Sequence, residues 1–201
     1  MASKRAQILE QALHLFNEKG VGETSTHDIA RAAGVAQGNL TYHFPKRPDL
    51  VEALYFELIE ELDELFKRLG PGDLSFKALF DAQLGQARLQ KKYRFLFLDF
   101  GRIKRQSSAI TTHFASLMTQ REAQFQLLIQ GLQAINCVRT MEKQELDYLF
   151  EHLSLVGNFW TSAAEVFQPA QPEQHYARVT LALLYPYLTE EGRRQWSEVV
   201  N

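Results

Sequence analysis

Residues 24–44 read TSTHDIARAAGVAQGNLTYHF, and two short helical patterns flank a glycine in this stretch. Ser25 precedes the first pattern, where a hydroxyl side chain typically caps a helix N-terminus. Gly34 ends that helix. A second helix of two turns is predicted over 37–43, because the residue before Pro45 is disfavoured in helical geometry. Helix, glycine-containing turn and helix together indicate a helix-turn-helix unit.

The second helix of this pair carries a polar face without any acidic residue. Its apolar residue Leu40, with Ile29 and Val35, is expected to fill the space between the two helices. The remaining positions offer hydrogen-bond donors and acceptors, and one glycine where a backbone can approach DNA. They are Gln37, Gly38, Asn39, Thr41, Tyr42 and His43. This chemistry favours contact with base edges and phosphates.

Helical periodicity dominates the rest of the chain, and no alternating strand pattern is convincing. A first helix is predicted over 3–19, ended by Gly20, and a long helix begins near Arg47 and runs to Leu69. Gly70, Pro71 and Gly72 form the clearest break. Further helices are predicted at about 73–92, 93–105, 107–135, 142–167, 173–187 and 190–199, with Pro186 kinking or ending the fifth of these. The predicted fold is all-α, with nine or ten helices and a three-helix N-terminal unit joined by a long helix to a C-terminal bundle.

Charge and composition bear on contact with DNA, on disulfide formation and on the cellular location of the protein. The 201 residues carry a net charge of −2, but up to Arg47 there are six basic and four acidic residues, against 16 and 20 in the remainder. This mild asymmetry permits a DNA-facing end on an acidic body. The single cysteine excludes an intrachain disulfide. Because no window resembles a signal peptide or a membrane span, we expect a cytoplasmic protein with no membrane partner.

The stretch from Ile8 to Leu54 resembles the N-terminal domain of the TetR family of repressors. The matching pieces are in register and without gaps: ILEQALHLF at 8–16, Gly20, DIARAAGV at 28–35, GNL at 38–40, YHF at 42–44, and Asp49 with Leu50. They cover about the first quarter of the chain. The remainder is similar to the family only as a divergent helical bundle of the right length.

The resemblance implies a role for each matching residue. The helix over 37–43 resembles a recognition helix in the major groove, with Gln37 and Asn39 as candidates for base contacts. Thr41 is placed against a thymine methyl group or a phosphate. Phosphate contacts are expected from Tyr42, His43, Lys46 and Arg47, and from Thr26 and His27 at the start of the preceding helix. The implied protein is a repressor of a palindromic operator in double-stranded DNA, with residues 1–46 as DNA-binding domain and 47–201 as sensing and dimerisation bundle.

Family resemblance also implies a homodimer built from the last two long helices. The apolar stripes expected at a four-helix interface are Leu149, Leu153, Val156, Trp160, Ala163, Phe167, Val179, Leu183 and Tyr187. A two-fold dimer places two recognition helices about one DNA turn apart, which explains a palindromic site. A second interpretation remains, in which these stripes form the intramolecular core.

A small, largely apolar effector is the expected ligand of the bundle. Its candidate contacts are rings and a few polar groups: Phe95, Phe100, His113, Phe114, Arg121, Phe125, Asn158 and Phe159. In a second interpretation the rings are ordinary core, and the protein is a DNA-binding regulator without a small ligand. A helical-bundle enzyme is a third possibility, but metal-binding and catalytic spacings such as His-Glu-x-x-His are missing from the sequence. We therefore expect no catalytic residue, no metal site and no cofactor.

Overall fold

The computed structural model describes residues 3–67 and 74–200, and within these ranges the protein is built from α-helices. The described residues contain no strand, only a single antiparallel bridge between Val138 and Leu188. The all-α prediction is confirmed. The eleven α-helices of the described ranges are α1 Lys4–Glu23, α2 Thr26–Ala32, α3 Gln37–His43, α4 Arg47–Lys67, α5 Phe76–Lys92, α6 Arg94–Leu98, α7 Phe100–Gln106, α8 Ser108–Ala134, α9 Lys143–Phe167, α10 Pro172–Ala182 and α11 Glu190–Val200.

The predicted single helix over 93–105 is wrong, because Asp99 divides it into α6 and α7. Asp99 has a φ of −131°, and its carbonyl oxygen accepts hydrogen bonds from the backbone N–H groups of Arg102 and Ile103, each at 3.0 Å. Aspartate readily leaves helical geometry at such a start. This extra boundary raises the helix count above the nine or ten expected.

Two other helix ends can be compared with the glycine and proline signals of the sequence. Gly20 is non-helical with a φ of +81°, as its predicted role as a stop requires, yet one further turn follows it to Glu23. After α10 the chain forms a 3₁₀ turn at Tyr185–Tyr187, so the predicted interruption at Pro186 is confirmed. The predicted break at 70–72 lies outside the described residues.

The described residues form two compact units, of which the first comprises residues 3–61 and 93–113. Helices α1, α2 and α3 pack on one another, and α6 packs on α1. The rings of Phe16 and Phe95 are 5.2 Å apart, and the side-chain oxygen of Asn17 accepts a hydrogen bond of 3.0 Å from the backbone N–H of Phe95. The side chains at the centre of this unit are fully or almost fully buried: Ile8, Leu9, Ala12, Ile29, Leu40, Leu50 and Leu54.

Three polar contacts hold the segment 93–113 to α4 within this first unit. Ser107 donates a hydrogen bond of 2.5 Å to Glu52, and Tyr93 donates one of 2.6 Å to Glu61. The Tyr55 hydroxyl lies 2.9 Å from Nδ1 of His113. Burial raises the pKa of Tyr55 to about 12, and burial together with Glu61 raises that of Tyr93, so both phenols stay protonated at neutral pH.

The second unit comprises residues 62–67, 74–92 and 114–200. Helix α10 packs against α5 and α9, and α11 packs against α5. A buried polar contact lies inside: Gln90 accepts a hydrogen bond from the indole N–H of Trp160 and donates one of 2.7 Å to the carbonyl oxygen of Gly157. The main apolar cluster of this unit includes Phe76, Leu79, Phe125, Ile129, Leu132, Leu149, Leu181 and Leu184.

Helix α4 contributes residues to both units, since it runs from Arg47 to Lys67. The functional division at residue 46, which assigns DNA binding to one segment and sensing to the other, stays a prediction. Within the two described ranges, no helix combines the length and the apolar character needed to cross a membrane.

Candidate nucleic-acid interface

Local hydrogen bonds fix the start of α2 and the turn that follows it. The Ser25 hydroxyl accepts a hydrogen bond of 3.1 Å from the backbone N–H of Asp28 and donates one of 2.5 Å to the Asp28 carboxylate. Gly34 has a φ of +65°, a left-handed conformation that favours glycine. The turn closes when the backbone N–H of Val35 donates to the carbonyl oxygen of Ala30 at 3.0 Å. These contacts set the direction in which α3 leaves α2.

The negative charge of Asp28, the only acidic residue in the helix-turn-helix, is compensated by neighbouring side chains. The hydrogen bond from Ser25 lowers the pKa of Asp28, with a smaller contribution from the charge of Arg31, and burial opposes both. The guanidinium of Arg31 lies 2.9 Å from the Asp28 carboxylate. The acid at the start of α2 therefore has cationic compensation before any phosphate approaches.

Helix α3 presents a polar face and buries one residue. Leu40 has 0% of its surface exposed, whereas Tyr42 is 83% exposed. Gln37, Gly38 and Thr41 are also exposed, as are His27 and Lys46 beside them, while Asn39, His43, Thr26 and Arg47 are half-buried. The structure thus brings the predicted DNA-contacting residues of α2, α3 and the start of α4 into one unit.

The two amide side chains of α3 differ in their environment. The Gln37 side chain donates a hydrogen bond of 3.2 Å from Nε2 to the hydroxyl oxygen of Thr26. The Asn39 side-chain oxygen is buried and has no hydrogen-bond partner among the described residues. Of the two predicted base-contacting amides, Gln37 is the one that is exposed and already oriented.

Arg47 has a contact that its sequence position does not reveal. Its Nη1 atom donates hydrogen bonds to the carbonyl oxygens of Gly22 and Thr24, at 3.0 Å and 3.1 Å. Thr24 is 1% exposed, and its hydroxyl donates a hydrogen bond of 2.8 Å to the carbonyl oxygen of Gly20. Because these acceptors are main-chain atoms, no residue pattern could have predicted the contact. The predicted phosphate contact of Arg47 stays a prediction.

Family models match nearly the whole of this architecture. The model described as "Bacterial regulatory proteins, tetR family" matches residues 8–54, and the TetR model described as "Bacterial transcriptional repressor" matches residues 58–196. The chain belongs to the TetR family. The resemblance seen in the N-terminal sequence is thereby confirmed, and it extends to the C-terminal bundle of the family.

Individual known regulators are similar to this chain over different extents. The regulator AcrR of Shigella flexneri is 41% identical over 76 residues, which are 38% of this chain and 32% of AcrR. The chain therefore matches about a third of the length of such curated relatives. A crystal structure of a TetR-family regulator from Marinobacter aquaeolei VT8 superposes with a TM-score of 0.89 at 20% identity, covering 98% of each chain. A regulator of Saccharomonospora viridis in complex with choline gives a TM-score of 0.72 at 18% identity, covering 92% of this chain and 97% of its own.

Most residues of the predicted dimer stripes contribute to the interior of the second unit. Leu149 belongs to the main apolar cluster, and Leu153, Leu183 and Tyr187 pack against it. Trp160 packs on Tyr176 with ring centroids 5.4 Å apart, and Ala163 adjoins them. Val156 is half-buried, whereas Phe167 and Val179 are exposed. The predicted role of these residues in a dimer interface stays a prediction.

A different face of α9 is apolar and exposed. We name it the α9 face, and it consists of Tyr148, Leu155, Phe159 and Val166, with Phe167 at the helix end. Their spacing of seven, four and seven residues follows one helical stripe. The sequence contained this signal, but the more hydrophobic stripe beginning at Leu149 obscured it. Phe159, predicted as a ligand contact, is 55% exposed on this face.

The predicted ligand contacts do not form one cluster within either unit. Phe95, Phe100 and His113 belong to the first unit, and the other five belong to the second. Phe95 is packed on Phe16, and Phe125 is packed on Phe150 with centroids 5.5 Å apart. Phe100 and Phe114 are half-buried, and the Asn158 side chain donates a hydrogen bond of 2.7 Å to the carbonyl oxygen of Ser154.

Arg121 is the charged residue among the predicted ligand contacts, and it has partners already. Its Nη2 atom lies 2.8 Å from the Asp63 carboxylate, and its guanidinium lies 4.9 Å from the ring centre of Phe66. A cavity of about 40 Å³ in the first unit is lined by Val21, Arg47, Pro48, Val51, Ile103, Gln106 and Ser107. None of the predicted ligand contacts lines this cavity. The role of these residues in ligand binding stays a prediction.

Proposed function

We propose that this TetR-family protein is a sequence-specific DNA-binding transcriptional repressor that works in the cytoplasm. The observation that carries the proposal is the exposed face of α3. Leu40 anchors the helix in the interior, while Gln37, Thr41 and Tyr42 remain exposed on a helix that has no acidic residue. A helix held in this way fits the major groove, where polar side chains read base edges.

In this proposal the DNA-contacting residues have two kinds of role. Gln37 and Asn39 contact bases, and Gly38 lets the backbone of α3 approach the groove. Thr41 contacts a thymine methyl group or a phosphate. Tyr42, His43, Lys46 and Arg47, with Thr26 and His27, hold phosphates and set the register of the protein on the duplex. Residues 1–46 form the proposed DNA-binding domain, to which Arg47 at the start of the next segment adds a phosphate contact, and residues 47–201 sense and dimerise.

The proposed active form is a homodimer bound to a palindromic operator. The α9 face supports this assembly, because isolated monomers rarely expose so many large apolar side chains along one helix. Val179 of α10 is exposed and apolar as well. A two-fold axis through such an interface would set the recognition helices about 34–36 Å apart, one turn of DNA.

The proposed regulator of DNA affinity is a small, largely apolar molecule. The similar regulator of Saccharomonospora viridis was solved in complex with choline, which supports a small-molecule site in a body of this architecture. Helix α4 contributes residues to both units, and we propose that its movement transmits effector binding to the DNA-binding helices. An effector that favours one arrangement of α4 would change operator affinity by a coupling free energy of about 1–3 kcal/mol.

A regulator without a small ligand is the second candidate, and specific contacts favour it. Arg121 already forms an ion pair with the Asp63 carboxylate, and the rings of Phe95 and Phe125 pack against other rings, so these predicted ligand contacts have protein partners. No catalytic step belongs to either candidate. Substrate turnover by the pure protein in the absence of DNA would contradict both.

Selection of bound duplexes from a randomised pool tests the DNA part of the proposal. We expect enrichment of an inverted repeat whose half-sites are one helical turn apart. Failure to enrich any sequence at low ionic strength would contradict it. Titration of the selected duplex in the presence of candidate effectors then separates the two candidates, because only the first predicts a ligand that weakens DNA binding.

A further inference from the structure

One hydrogen bond joins the first residues of the two helices in the helix-turn-helix. Thr26 begins α2 and Gln37 begins α3, eleven positions later in the chain. The Gln37 Nε2 atom donates to the Thr26 hydroxyl oxygen over 3.2 Å. The contact therefore links α3, the proposed base-contacting helix, to α2, the helix proposed to contact the DNA backbone.

The neighbouring polar side chains form hydrogen bonds with other partners and not with the Gln37 amide. The Ser25 hydroxyl and the Asp28 carboxylate bond to each other at 2.5 Å. The N-cap of α3 is Ala36, which has no polar side-chain atom to orient Gln37. The Thr41 hydroxyl donates to the main-chain oxygen of Gln37, not to its amide side chain. Thr26 is thus the side chain that fixes the orientation of the Gln37 amide.

The hydrogen-bond capacity of an amide makes this orientation important. A glutamine amide has two N–H donors and one carbonyl acceptor. Bidentate recognition of adenine uses one donor, for N7, and the acceptor, for the N6 amino group. The hydrogen bond to Thr26 uses one of the two donors, and one donor and the carbonyl acceptor remain. Gln37 keeps the pair of groups that adenine requires, and they are held in a fixed orientation.

We infer that Thr26 is a specificity-determining residue that acts through Gln37, in addition to any phosphate contact of its own. This inference rests on the proposed function, in which Gln37 contacts a base. The Thr26 hydroxyl accepts from Gln37 and retains its own proton, which is available for a phosphate oxygen. The residue then joins the DNA backbone to the base-reading side chain.

A double-mutant cycle on the selected operator tests the inference. The variants are Thr26→Val, which removes the hydroxyl while keeping the shape, Gln37→Ala, and both together. Thr26→Ser retains the hydroxyl. His27→Ala is the matched control for a phosphate contact alone, because it removes an exposed neighbouring side chain of α2 that is proposed to contact a phosphate and not a base. Affinities are measured by fluorescence anisotropy for the operator and for duplexes substituted at each half-site position, and thermal unfolding checks that every variant is folded.

We expect Gln37→Ala to relax discrimination at one half-site position by about tenfold, the size of one good bidentate contact. Thr26→Val should relax the same position, and Thr26→Ser should preserve it. At that position the double variant should discriminate as Gln37→Ala does, because Thr26 acts there through Gln37, while loss of the Thr26 phosphate contact should weaken binding to all duplexes alike. Equal weakening on all duplexes by Thr26→Val, additive with Gln37→Ala and matching His27→Ala, would overturn the inference and leave the base contact intact. Unchanged preferences in Gln37→Ala would instead overturn the proposed base contact, and the inference with it.

Discussion

The guanidinium of Arg47 lies 3.0 Å from the carbonyl oxygen of Gly22, and so joins the first residue of α4 to the last turn of α1. The same nitrogen donates to the carbonyl oxygen of Thr24 at 3.1 Å. Ser25, which follows directly, caps α2. A displacement of the start of α4 therefore acts on the residues that place α2, and through the Gly34 turn on α3.

The first prediction concerns this contact. Arg47→Ala should lower the free energy of unfolding by about 1–2 kcal/mol, because two carbonyl acceptors lose a charged donor in a partly buried setting. Urea-induced unfolding measures the change. Lys46→Ala is the matched control, since Lys46 is a neighbouring exposed cation, and it should alter stability little. Equal stability of both variants and the wild type would show that the Arg47 contact contributes nothing.

Gly38 provides a second prediction, in which stability and DNA affinity change in opposite directions. No described atom lies within 4 Å of a Cβ built at this residue, and α3 gives it helical geometry. Gly38→Ala should therefore stabilise the fold by about 0.5–1 kcal/mol, through helix propensity. The same methyl group should weaken operator binding, because it lies between the helix backbone and the groove.

The measurement for Gly38 pairs thermal unfolding with an operator titration. Gly101→Ala in α7 is the control, since this glycine is also exposed and the nearest atom to its built Cβ is a side-chain nitrogen at 3.5 Å. It should leave operator binding unchanged. Undiminished operator affinity of Gly38→Ala would argue that the backbone of α3 does not approach DNA at this point.

The α9 face gives a third prediction, on the oligomeric state. Leu155→Glu places a charge among exposed apolar residues of α9 and should convert the proposed dimer to monomers, because a buried unpaired carboxylate is costly. Sedimentation velocity reports the molecular mass. Leu127→Glu makes the same change at an exposed leucine of α8 and should leave the dimer intact. Dissociation by both variants, or by neither, would refute the assignment of the α9 face.

A fourth prediction follows from an ion pair at the start of α9. The guanidinium of Arg139, and then the backbone N–H of Glu142, hold the pKa of the Glu145 carboxyl at about 2, below its ordinary value of 4.5. Because the folded-state pKa is depressed, this contribution to stability is present above about pH 4.5 and is lost as the pH falls towards 2.

Glu145→Gln should therefore shrink the difference in urea midpoint between pH 6 and pH 3. The Glu145 side chain is 34% exposed, so solvent screens the ion pair and the effect is small. An NMR titration of the Glu145 side chain in the wild type is the direct measurement. An ordinary titration midpoint near 4.5 would contradict the ion pair. Glu151→Gln, at an exposed glutamate of the same helix, serves as the control for charge removal alone.

Local signals made much of the fold predictable from the sequence. Ser25 and Gly34 bounded α2, and Pro45 marked the end of α3, because capping, left-handed geometry and proline sterics act within a few residues. Asp99 was missed because its departure from helical geometry is one conformation among several that aspartate adopts. The start of α4 was predicted for the same local reasons, with Pro48 in its first turn.

Contacts between distant residues were not predictable in the same way. The α9 stripe at Leu149 and the exposed stripe at Leu155 are both apolar, and only packing against other helices decides which one is buried. The same holds for Arg121, whose partner Asp63 lies 58 positions away. Six of the ten residues proposed to contact DNA lie on one short helix that local patterns define, whereas ligand contacts depend on tertiary arrangement.

The most direct test of the central claim is DNA cleavage from a reagent attached to α3. Thr41→Cys carries an iron chelate that cuts nearby sugars, and the natural Cys137 is fully buried and stays unmodified. We predict two clusters of cuts on the selected operator, symmetric about its centre and about one helical turn apart. Cutting that is spread evenly along the duplex, or that is equal when the reagent is attached at position 127 instead, would contradict the placement of α3 in the major groove.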